Sequence, residues 1–552
     1  MNKKDYISAI DEIKASDTLK KKTISHINET KKSKVNLIKF VSVAAVFMMV
    51  ISISFINRKE VNPNGDVIQK QQVAKLPTVG SYENLKSMVK VDSTTRYYNE
   101  EFGVDLVEDG VTFENSKLNS AQASTTNVQV AGVDEADIVK TDGKYIYYLT
   151  DNTVVIVKVD GLEVVKKIEY EKEDMYAREI YINSNKLIVI GTLNKREQSK
   201  RAFLSIGEDD SYSYYNNYTK AIVYNIQDVE NPKIEREVKI EGNRVSSRMI
   251  GDTIYLISNK SIYSAILKDD EKRILPTYED TAIGNVTRCV EYDDICYFPD
   301  FEEANYLIVA SFGLSDSKKE TNVNTYLGSG NKIYCSKDSL YVSNRKGTET
   351  QVYKFKLDKE NVEYIENATV PGYVNNQFSM DEYNGYFRIA TTLNSKETDN
   401  KNVNNMYILD ENLELVGQIE NLAPDERIYS VRYMGNKAYM VTFKQVDPLF
   451  VIDLSDVKNP KVLGQLKIPG YSKYLHPYDE NHIIGFGEDT EELGENRVVT
   501  TGLKMALFDV SDVNNPIEKY VTKIGGKGSY SELLSDHKAL LFSKEKNIIA
   551  FP

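Results

Sequence analysis

The 552-residue chain contains no tryptophan, three cysteines and four histidines. Three cysteines are too few for a small scaffold held together by several disulfides. Four histidines without an H-E-x-x-H spacing do not form the familiar zinc-protease motif. The sequence also lacks G-x-S-x-G, a P-loop and a G-x-G-x-x-G that opens a helix. It therefore nominates no catalytic nucleophile and no phosphate-binding loop.

The charge is present but unevenly distributed. The net charge is −13, with 69 Lys and Arg against 82 Asp and Glu. Residues 1–39 carry ten Lys and five acidic groups, a net +5, so the rest of the chain carries −18. A body with this charge repels phosphate backbones, and we expect no nucleic-acid partner. The apolar content of 41% suits a large folded region, for which 38 Tyr and 18 Phe supply the aromatic groups.

A single apolar run indicates a membrane segment. Phe40–Ile56 has 17 residues without a charge and spans roughly 26 Å as a helix. A cleaved signal peptide is disfavoured because 39 polar residues precede the run and no A-x-A-like site follows it. The lysines ahead of the run place the N-terminus in the cytoplasm. The predicted organisation is a basic cytoplasmic tail (1–39), a transmembrane helix (40–56), a tether (57–80), a lead-in with a short helix (81–126) and an extracytoplasmic body (127–552).

One phrase recurs three times in the body. It reads as a strand, a polar turn and Asn-Pro: IVYNIQDVENPKI (222–234), FVIDLSDVKNPKV (450–462) and ALFDVSDVNNPIE (506–518). Its aligned residues are Asp228, Asp456 and Asp512, and Pro232, Pro460 and Pro516. A short carboxylate can accept hydrogen bonds from backbone N–H groups two residues on, and proline fixes φ. The phrase thus predicts a structural turn that ends one strand and starts the next.

A second phrase, a turn followed by a Tyr-rich or β-branched strand, recurs eight times. Its copies begin at residues 142, 185, 251, 338, 384, 435, 481 and 536. The intervals are 43, 66, 87, 46, 51, 46 and 55, and four of them lie near the length of a four-stranded blade. The interval of 66 residues contains a polar insertion. The interval of 87 residues has room for another blade around NYLIVASF (305–312). The fold class predicted is all-β, a β-propeller of about seven or eight four-stranded blades.

The stretch STTNVQVAGVDEADIVKTDGKYIYYL (124–149) resembles the signature that opens bacterial secreted and membrane-anchored β-propeller proteins distantly related to WD-40 repeats. Segments 468–489, 502–516 and 528–552 resemble the same family. The resemblance implies a propeller and a location at the bacterial cell membrane, but no reaction. Relatives continue beyond the strand at Ile548–Pro552, which leaves two alternatives for the ring: closure by a strand near Val128–Val130, or an incomplete last blade with an exposed edge.

Three carboxylates in the signature are the candidate metal ligands. Asp134, Glu135 and Asp137 could contribute to a loose Ca²⁺ site, but their spacing does not match the twelve-residue calcium loop. A turn that seats the first blade is the favoured interpretation. We predict no other cofactor.

Two of the cysteines are spaced for a hairpin disulfide. Cys289 and Cys296 lie seven apart, and a bridge is permitted outside the membrane. Bridged and unbridged forms both remain open, whereas Cys335 is expected to be a small buried strand residue.

The predicted function is a binding or scaffolding module whose partner is an envelope protein or a glycan. Two alternatives remain: a cell-envelope glycan hydrolase or lyase built on propeller loops, and a transmembrane sensor that signals through its cytoplasmic tail. Convergent carboxylates of raised pKa in the centre of the propeller would favour the enzyme.

Overall fold

The structure is a computed structural model that describes residues 76–89, 126–200, 211–284, 286–298, 301–394, 401–443, 447–492 and 498–552. The chain divides into two units, Met1–Gln72 and Val73–Pro552, and every described residue belongs to the second. The predicted tail and the apolar run Phe40–Ile56 lie outside the described residues. Within the described ranges, no helix is long and apolar enough for a membrane crossing.

In the part of the chain described, the strands form seven sheets of four or six strands, which we call blades 1 to 7, and one two-stranded sheet. Blade 1 contains β2 (Val139–Thr141), β3 (Tyr145–Thr150), β4 (Thr153–Lys158) and β5 (Glu163–Glu169). Blade 2 contains β6 (Tyr176–Asn183), β7 (Lys186–Lys200), β8 (Ser211–Asn225), β9 (Lys233–Glu241), β12 (Thr277–Asp280) and β13 (Arg288–Cys289). Blade 3 contains β1 (Val133–Asp134), β10 (Asn243–Ile250), β11 (Thr253–Ser261), β15 (Asn305–Gly313), β16 (Asn322–Leu327) and β14 (Ile295–Tyr297).

The remaining blades are plain four-stranded antiparallel sheets. Blade 4 contains β17 (Lys332–Cys335), β18 (Ser339–Lys346), β19 (Glu349–Asp358) and β20 (Asn361–Pro371). Blade 5 contains β21 (Met380–Tyr383), β22 (Tyr386–Asn394), β23 (Asn402–Leu409) and β24 (Leu415–Leu422). Blade 6 contains β25 (Arg427–Met434), β26 (Lys437–Phe443), β27 (Asp447–Asp453) and β28 (Lys461–Ile468). Blade 7 contains β29 (Tyr471–Asp479), β30 (His482–Glu492), β31 (Val498–Asp509) and β32 (Ile517–Ile524).

Consecutive blades pack face to face. Successive side chains of each second strand point to opposite faces of the sheet, so one strand contacts both neighbouring blades. In β11, Ile254 and Leu256 point to blade 2, whereas Tyr255 and Ile257 point to blade 4. A buried apolar cluster joins each pair of neighbours from blade 1 to blade 7 in this way. Such strands are buried on both faces and therefore read as continuous apolar runs.

Tyrosine and phenylalanine fill these layers in the absence of tryptophan. The rings of Tyr341 and Phe387 stack at 4.1 Å between blades 4 and 5. Phe298 stacks on Tyr353 at 3.6 Å between blades 3 and 4. Stacked aromatic pairs stabilise beyond their buried area.

The Asp-x-x-Asn-Pro phrase forms the same turn in blades 2, 6 and 7, between the third and fourth strands of the regular blade. In each turn, Asp Oδ1 accepts a hydrogen bond of 3.1 Å from the backbone N–H two residues on. The Asn three residues on donates its side-chain N–H to the other carboxylate oxygen at 2.9–3.0 Å. The pKa values of Asp228, Asp456 and Asp512 are lowered, chiefly by this Asn hydrogen bond. The proline then stands directly ahead of the outer strand.

Two of these turns pack onto a glycine of the preceding blade. An added Cβ at Gly417 in β24 would lie 2.0 Å from the Val457 carbonyl oxygen, and one at Gly464 in β28 would lie 2.5 Å from that of Val513. Both glycines follow a β-bulge in their outer strand. In these two places the backbone of the turn packs directly against the backbone of the preceding blade, where there is no room for a side chain.

The long interval between residues 251 and 338 contains an insertion and not an eighth blade. NYLIVASF (305–312) lies in β15, which pairs with β11 as the third strand of blade 3. The inserted residues form α2 (Tyr263–Leu267), the strands β12 to β14 and the 3-10 helices Glu271–Arg273, Thr281–Ile283 and Tyr292–Asp294. Because the insertion precedes the third strand, it lengthens the interval without adding a blade.

The lead-in is anchored on this insertion. Ser81 caps the helix α1 (Tyr82–Met88), whose Leu85 is fully buried. Just ahead of it, the backbone N–H of Val79 donates to the Ile295 carbonyl at 2.8 Å. The last residues of the predicted tether, from Leu76 to Gly80, are therefore packed against β14 and are not a free linker.

The eighth copy of the second phrase does not start a blade. It forms the 3-10 helix His537–Ala539, followed by a sheet of β33 (Leu541–Ser543) and β34 (Ile548–Ala550) that packs on blade 7. Another two 3-10 helices are Gln377–Ser379 and Glu532–Leu534. Residues Val128–Val130 do not complete the last sheet. The adjacent β1 pairs instead with β10 of blade 3, where Val133 lies opposite Ile250.

Candidate functional site

A cavity of about 410 Å³, which we call the central cavity, lies where the first strands of the blades meet. β6, β10, β17 and β29 line it, together with the segments that lead into blades 1 and 5 and with residues 533–538. First strands have no neighbour on the inner side except in blade 3, so their polar side chains can face this space. The lining contains groups from four blades and from the segments that lead into two others.

Glu135 lines the central cavity and is 5% exposed. The backbone N–H of Gln129 donates to its Oε1 at 3.0 Å, and Gln377 Nε2 lies 3.2 Å from its Oε2. Arg248 and His537 approach the same Oε2 at 3.7 and 3.3 Å. Burial raises the pKa of Glu135, but Arg248 and then His537 outweigh it and hold the pKa far below its usual range. Glu135 is a buried carboxylate ion.

Glu179 is the second carboxylate of the cavity. It accepts hydrogen bonds from Ser247 Oγ at 2.7 Å and from Arg244 Nη1 at 3.1 Å. Burial again raises its pKa, but Arg244 and Lys538 bring the pKa below the usual value. Both carboxylates are therefore ionised and paired with cations at neutral pH.

Two cations in or beside the cavity have no such pairing. Lys332 donates to the Val374 carbonyl at 3.1 Å, and burial followed by the charge of Arg345 lowers its pKa. The guanidinium of Arg432 lies 5.3 Å from the ring centre of Phe378, which lines the cavity. Its Nη1 is buried and has no hydrogen-bond partner among the described residues. Most buried donors in native proteins have an acceptor, so this one calls for an explanation.

The predicted signature carboxylates have three different environments. Asp134 forms a 2.7 Å ion pair with Lys140, and Glu135 enters the central cavity. Asp137 exchanges backbone hydrogen bonds with Ile180 of blade 2, while burial raises its pKa. Across the described ranges, no group of three or more His, Cys, Asp or Glu side chains is arranged to hold a metal ion.

The signature segment instead connects separate parts of the molecule. Asn127 donates to the Tyr474 hydroxyl at 2.9 Å and to the His537 carbonyl at 2.8 Å. Gln129 donates to the carbonyls of Gln377 and Met380 at 3.0 and 3.1 Å. These bonds tie the start of the body to blades 5 and 7 and to the C-terminal segment.

The hairpin disulfide is not formed in the structure, where Cys289 and Cys296 are thiols. Cys289 lies in β13, at the edge of blade 2, whereas Cys296 lies in β14, at the edge of blade 3. The seven-residue spacing therefore joins two different sheets and not two strands of one hairpin. Cys335 is buried in β17, as expected.

The polar insertion of the 66-residue interval lengthens the hairpin of β7 and β8, which lines a second cavity of about 220 Å³ together with β9 and residues between 272 and 287. Arg273 stacks on Tyr214 at 3.8 Å, and Lys239 lies 4.7 Å from the ring centre of Tyr218.

The sequence singled out Glu135 only as a candidate Ca²⁺ ligand, and the other charged residues in or beside the cavity were missed. Glu179, Arg248, Lys332, Arg432 and Lys473 each lie three to eight residues ahead of a recurring turn, in the strand that becomes the first of its blade. Charged residues at this place in the repeat were the available signal.

Comparisons with known proteins agree with the architecture. The model of the family described as "Beta propeller domain" matches residues 123–552. An uncharacterized protein of Methanocaldococcus jannaschii is 32% identical over 488 residues, which cover 78% of this chain and 74% of the relative. An uncharacterized protein of Archaeoglobus fulgidus is 29% identical over 489 residues, covering 78% and 75% of the two chains.

Proposed function

The chain belongs to the beta propeller domain family, and we propose that it is a binding module whose central cavity holds part of an envelope glycan or protein. The observation that carries this proposal is the convergence of hydrogen-bonded charged groups from separate blades on one cavity. Concave sites with a few oriented polar groups are the usual ligand sites of proteins.

The charge states support binding better than glycan hydrolysis. A glycoside hydrolase needs one carboxylic acid that is protonated near neutral pH. Glu135 and Glu179 have lowered pKa values and are held by arginines, so neither is suited to donate a proton. Asp137 has a raised pKa but is absent from the cavity lining.

We also propose that the module is held at the outer face of a bacterial cell membrane by Phe40–Ile56, with its N-terminus in the cytoplasm. The apolar run and the lysines ahead of it support this arrangement. The sensor alternative depends on residues 1–39, which lie outside the described residues.

A blocking variant tests the use of the cavity. Ser535 is an exposed residue of the cavity lining, so Ser535→Trp adds bulk there without disturbing a core. We expect the full-length protein in detergent to bind at least one soluble cell-wall glycan fragment or peptide by calorimetry. We expect Ser535→Trp to weaken that binding at least about tenfold, which is about 1.4 kcal/mol.

The matched control is Ser455→Trp, because Ser455 is an exposed serine after the third strand of blade 6. It should bind as the unmodified protein does. Equal affinity of both variants for every ligand found would rule out the central cavity as the site.

A further inference from the structure

We propose that the ligand of the central cavity carries an anionic group, a carboxylate or a phosphate, which Lys332 and Arg432 bind. The inference deepens the proposed function and rests on it. It concerns the chemical class of the ligand, which neither the family nor the relatives assign.

The proposal starts from the pairing of charges around the cavity. Arg244 pairs with Glu179 at 3.1 Å, and Arg248 lies 3.7 Å from Glu135. At the mouth, Lys538 lies 3.5 Å from Asp536, and Lys473 lies 2.6 Å from Glu488. Each of these four cations already has a carboxylate, so none of them requires a ligand.

Lys332 is the lining cation that remains. Within the described residues its ammonium has no carboxylate within 4.0 Å, and it donates to one backbone carbonyl. An ammonium has three N–H donors, so two are available. Burial lowers the pKa of Lys332, and the like charge of Arg345 lowers it further. An anion in the cavity would accept hydrogen bonds from the two remaining donors and would offset the repulsion between the two cations.

Arg432 shows a similar deficit beside the cavity, where its guanidinium lies 5.3 Å from the ring centre of the lining residue Phe378. Burial and then the positive charge of Arg432 lower the pKa of His476, whereas burial raises the pKa of Tyr474 and Arg432 only opposes that rise. The side chain forms no ion pair in the part of the chain described, and its Nη1 is buried without an acceptor. A planar guanidinium is suited to carboxylate and phosphate oxygens because its donors are fixed in a fork.

The size of the cavity limits the ligand. A volume of about 410 Å³ equals roughly fourteen water molecules at about 30 Å³ each. It can hold one acidic sugar or a short acidic side chain, and not a folded domain. We therefore infer that an anionic unit at an end or in a branch of a larger partner enters the cavity.

The test compares charged and neutral probes on the full-length protein in detergent. Calorimetric titrations use glucuronic acid, inorganic phosphate and glucose. We expect one of the two anions to bind at least about tenfold more tightly than glucose, and the anion that binds distinguishes a carboxylate from a phosphate. Lys332→Gln and Arg432→Gln should each weaken that binding at least about tenfold. Lys461→Gln, at an exposed lysine of β28, should leave it unchanged.

Arg432→Lys keeps the charge but not the forked donors, so it should bind the anion more weakly than the unmodified protein and more tightly than Arg432→Gln. Thermal unfolding of each variant checks that the fold persists. Glucose binding as tight as that of the anions overturns the inference, as does unchanged anion binding in both Gln variants. Absence of anion binding also overturns it. If a neutral ligand is then sensitive to Ser535→Trp but not to Ser455→Trp, the proposed function stands and only the ligand class is wrong.

Discussion

At the scale of single residues, the signature carboxylates show how closely spaced groups acquire different roles. Asp134, Glu135 and Asp137 look equivalent in sequence, and their alternation with alanine and valine suggests one cluster. In the fold, the chain turns between them, so that one faces Lys140, one faces Arg248 and one lies against blade 2. Their partners come from distant parts of the chain, and no local pattern predicts them.

A second residue-scale effect concerns His476, which is largely buried between Tyr474 and Phe542. Burial, and then the charge of Arg432, lower its pKa to about 4. A histidine with a lowered folded pKa contributes full stability above the unfolded pKa of about 6.5, and this contribution is lost as the pH falls towards 4.

We expect His476→Gln to remove this part of the pH dependence. Between pH 7.5 and 4.5, the unmodified protein should lose roughly 2.5 kcal/mol more unfolding free energy than the variant. Urea unfolding at both pH values measures the difference, and the pH 7.5 curve checks that the variant folds. Parallel loss in the two proteins would show that His476 does not titrate as described.

At the scale of elements, the recurring second phrase locates the blades because it forms the turn between the first and second strands. Seven of its eight copies connect the first and second strands of blades 1 to 7. The eighth, at residue 536, keeps the sequence pattern but forms a 3-10 helix ahead of a two-stranded sheet. A local pattern specifies a turn and a strand, whereas the number of strands in a sheet depends on non-local pairing. For the same reason the insertion before β15 looked like an additional blade.

The contact between a turn and the preceding blade gives a test at this scale. Gly464→Ala places a methyl group 2.5 Å from the Val513 carbonyl, so the turn of blade 7 or the strand β28 must shift. Overpacking of this kind costs about 2 kcal/mol. Chemical denaturation of the purified protein should show the loss.

Gly526→Ala is the matched control, because no atom lies within 4 Å of the added Cβ. It should unfold within about 0.5 kcal/mol of the unmodified protein. If the two variants had equal stability, the close contact between blades 6 and 7 at Gly464 would not contribute to the stability of the fold.

At the scale of the whole molecule, the fold class and the period were predictable, and the ligand site was not. Repeated turns and runs of Tyr and β-branched residues report the architecture directly, since each repeat solves the same packing problem. Lys332 lines the cavity and Arg432 lies against Phe378 of its lining, and both placements depend on how blades 4, 5 and 6 come together in the assembled fold. Sequence spacing alone could place a charge in a strand but not direct it to the cavity.

The proposed membrane anchor is also a property of the whole chain. We expect the full-length protein to stay in the membrane fraction after alkaline carbonate extraction, because 17 uncharged residues resist transfer to water. Deletion of residues 40–56 should release it. Protease added outside intact protoplasts should digest the body but spare a tag placed before residue 1. Release of the unmodified protein by carbonate would contradict the anchor.

The hydrogen bond from Asn127 to His537 sets an order of events during synthesis. Its partners are 410 residues apart, so the start of the body cannot make its final contacts until the last segment has emerged. At about 5 to 20 residues per second, that delay is roughly 20 to 80 seconds. During this time blades 1 to 6 can form in succession, while Asn127 and Glu135 both still lack His537. The centre of the molecule is thus its latest part to mature, and a ribosome that stalls late leaves the cavity unfinished on an otherwise folded chain.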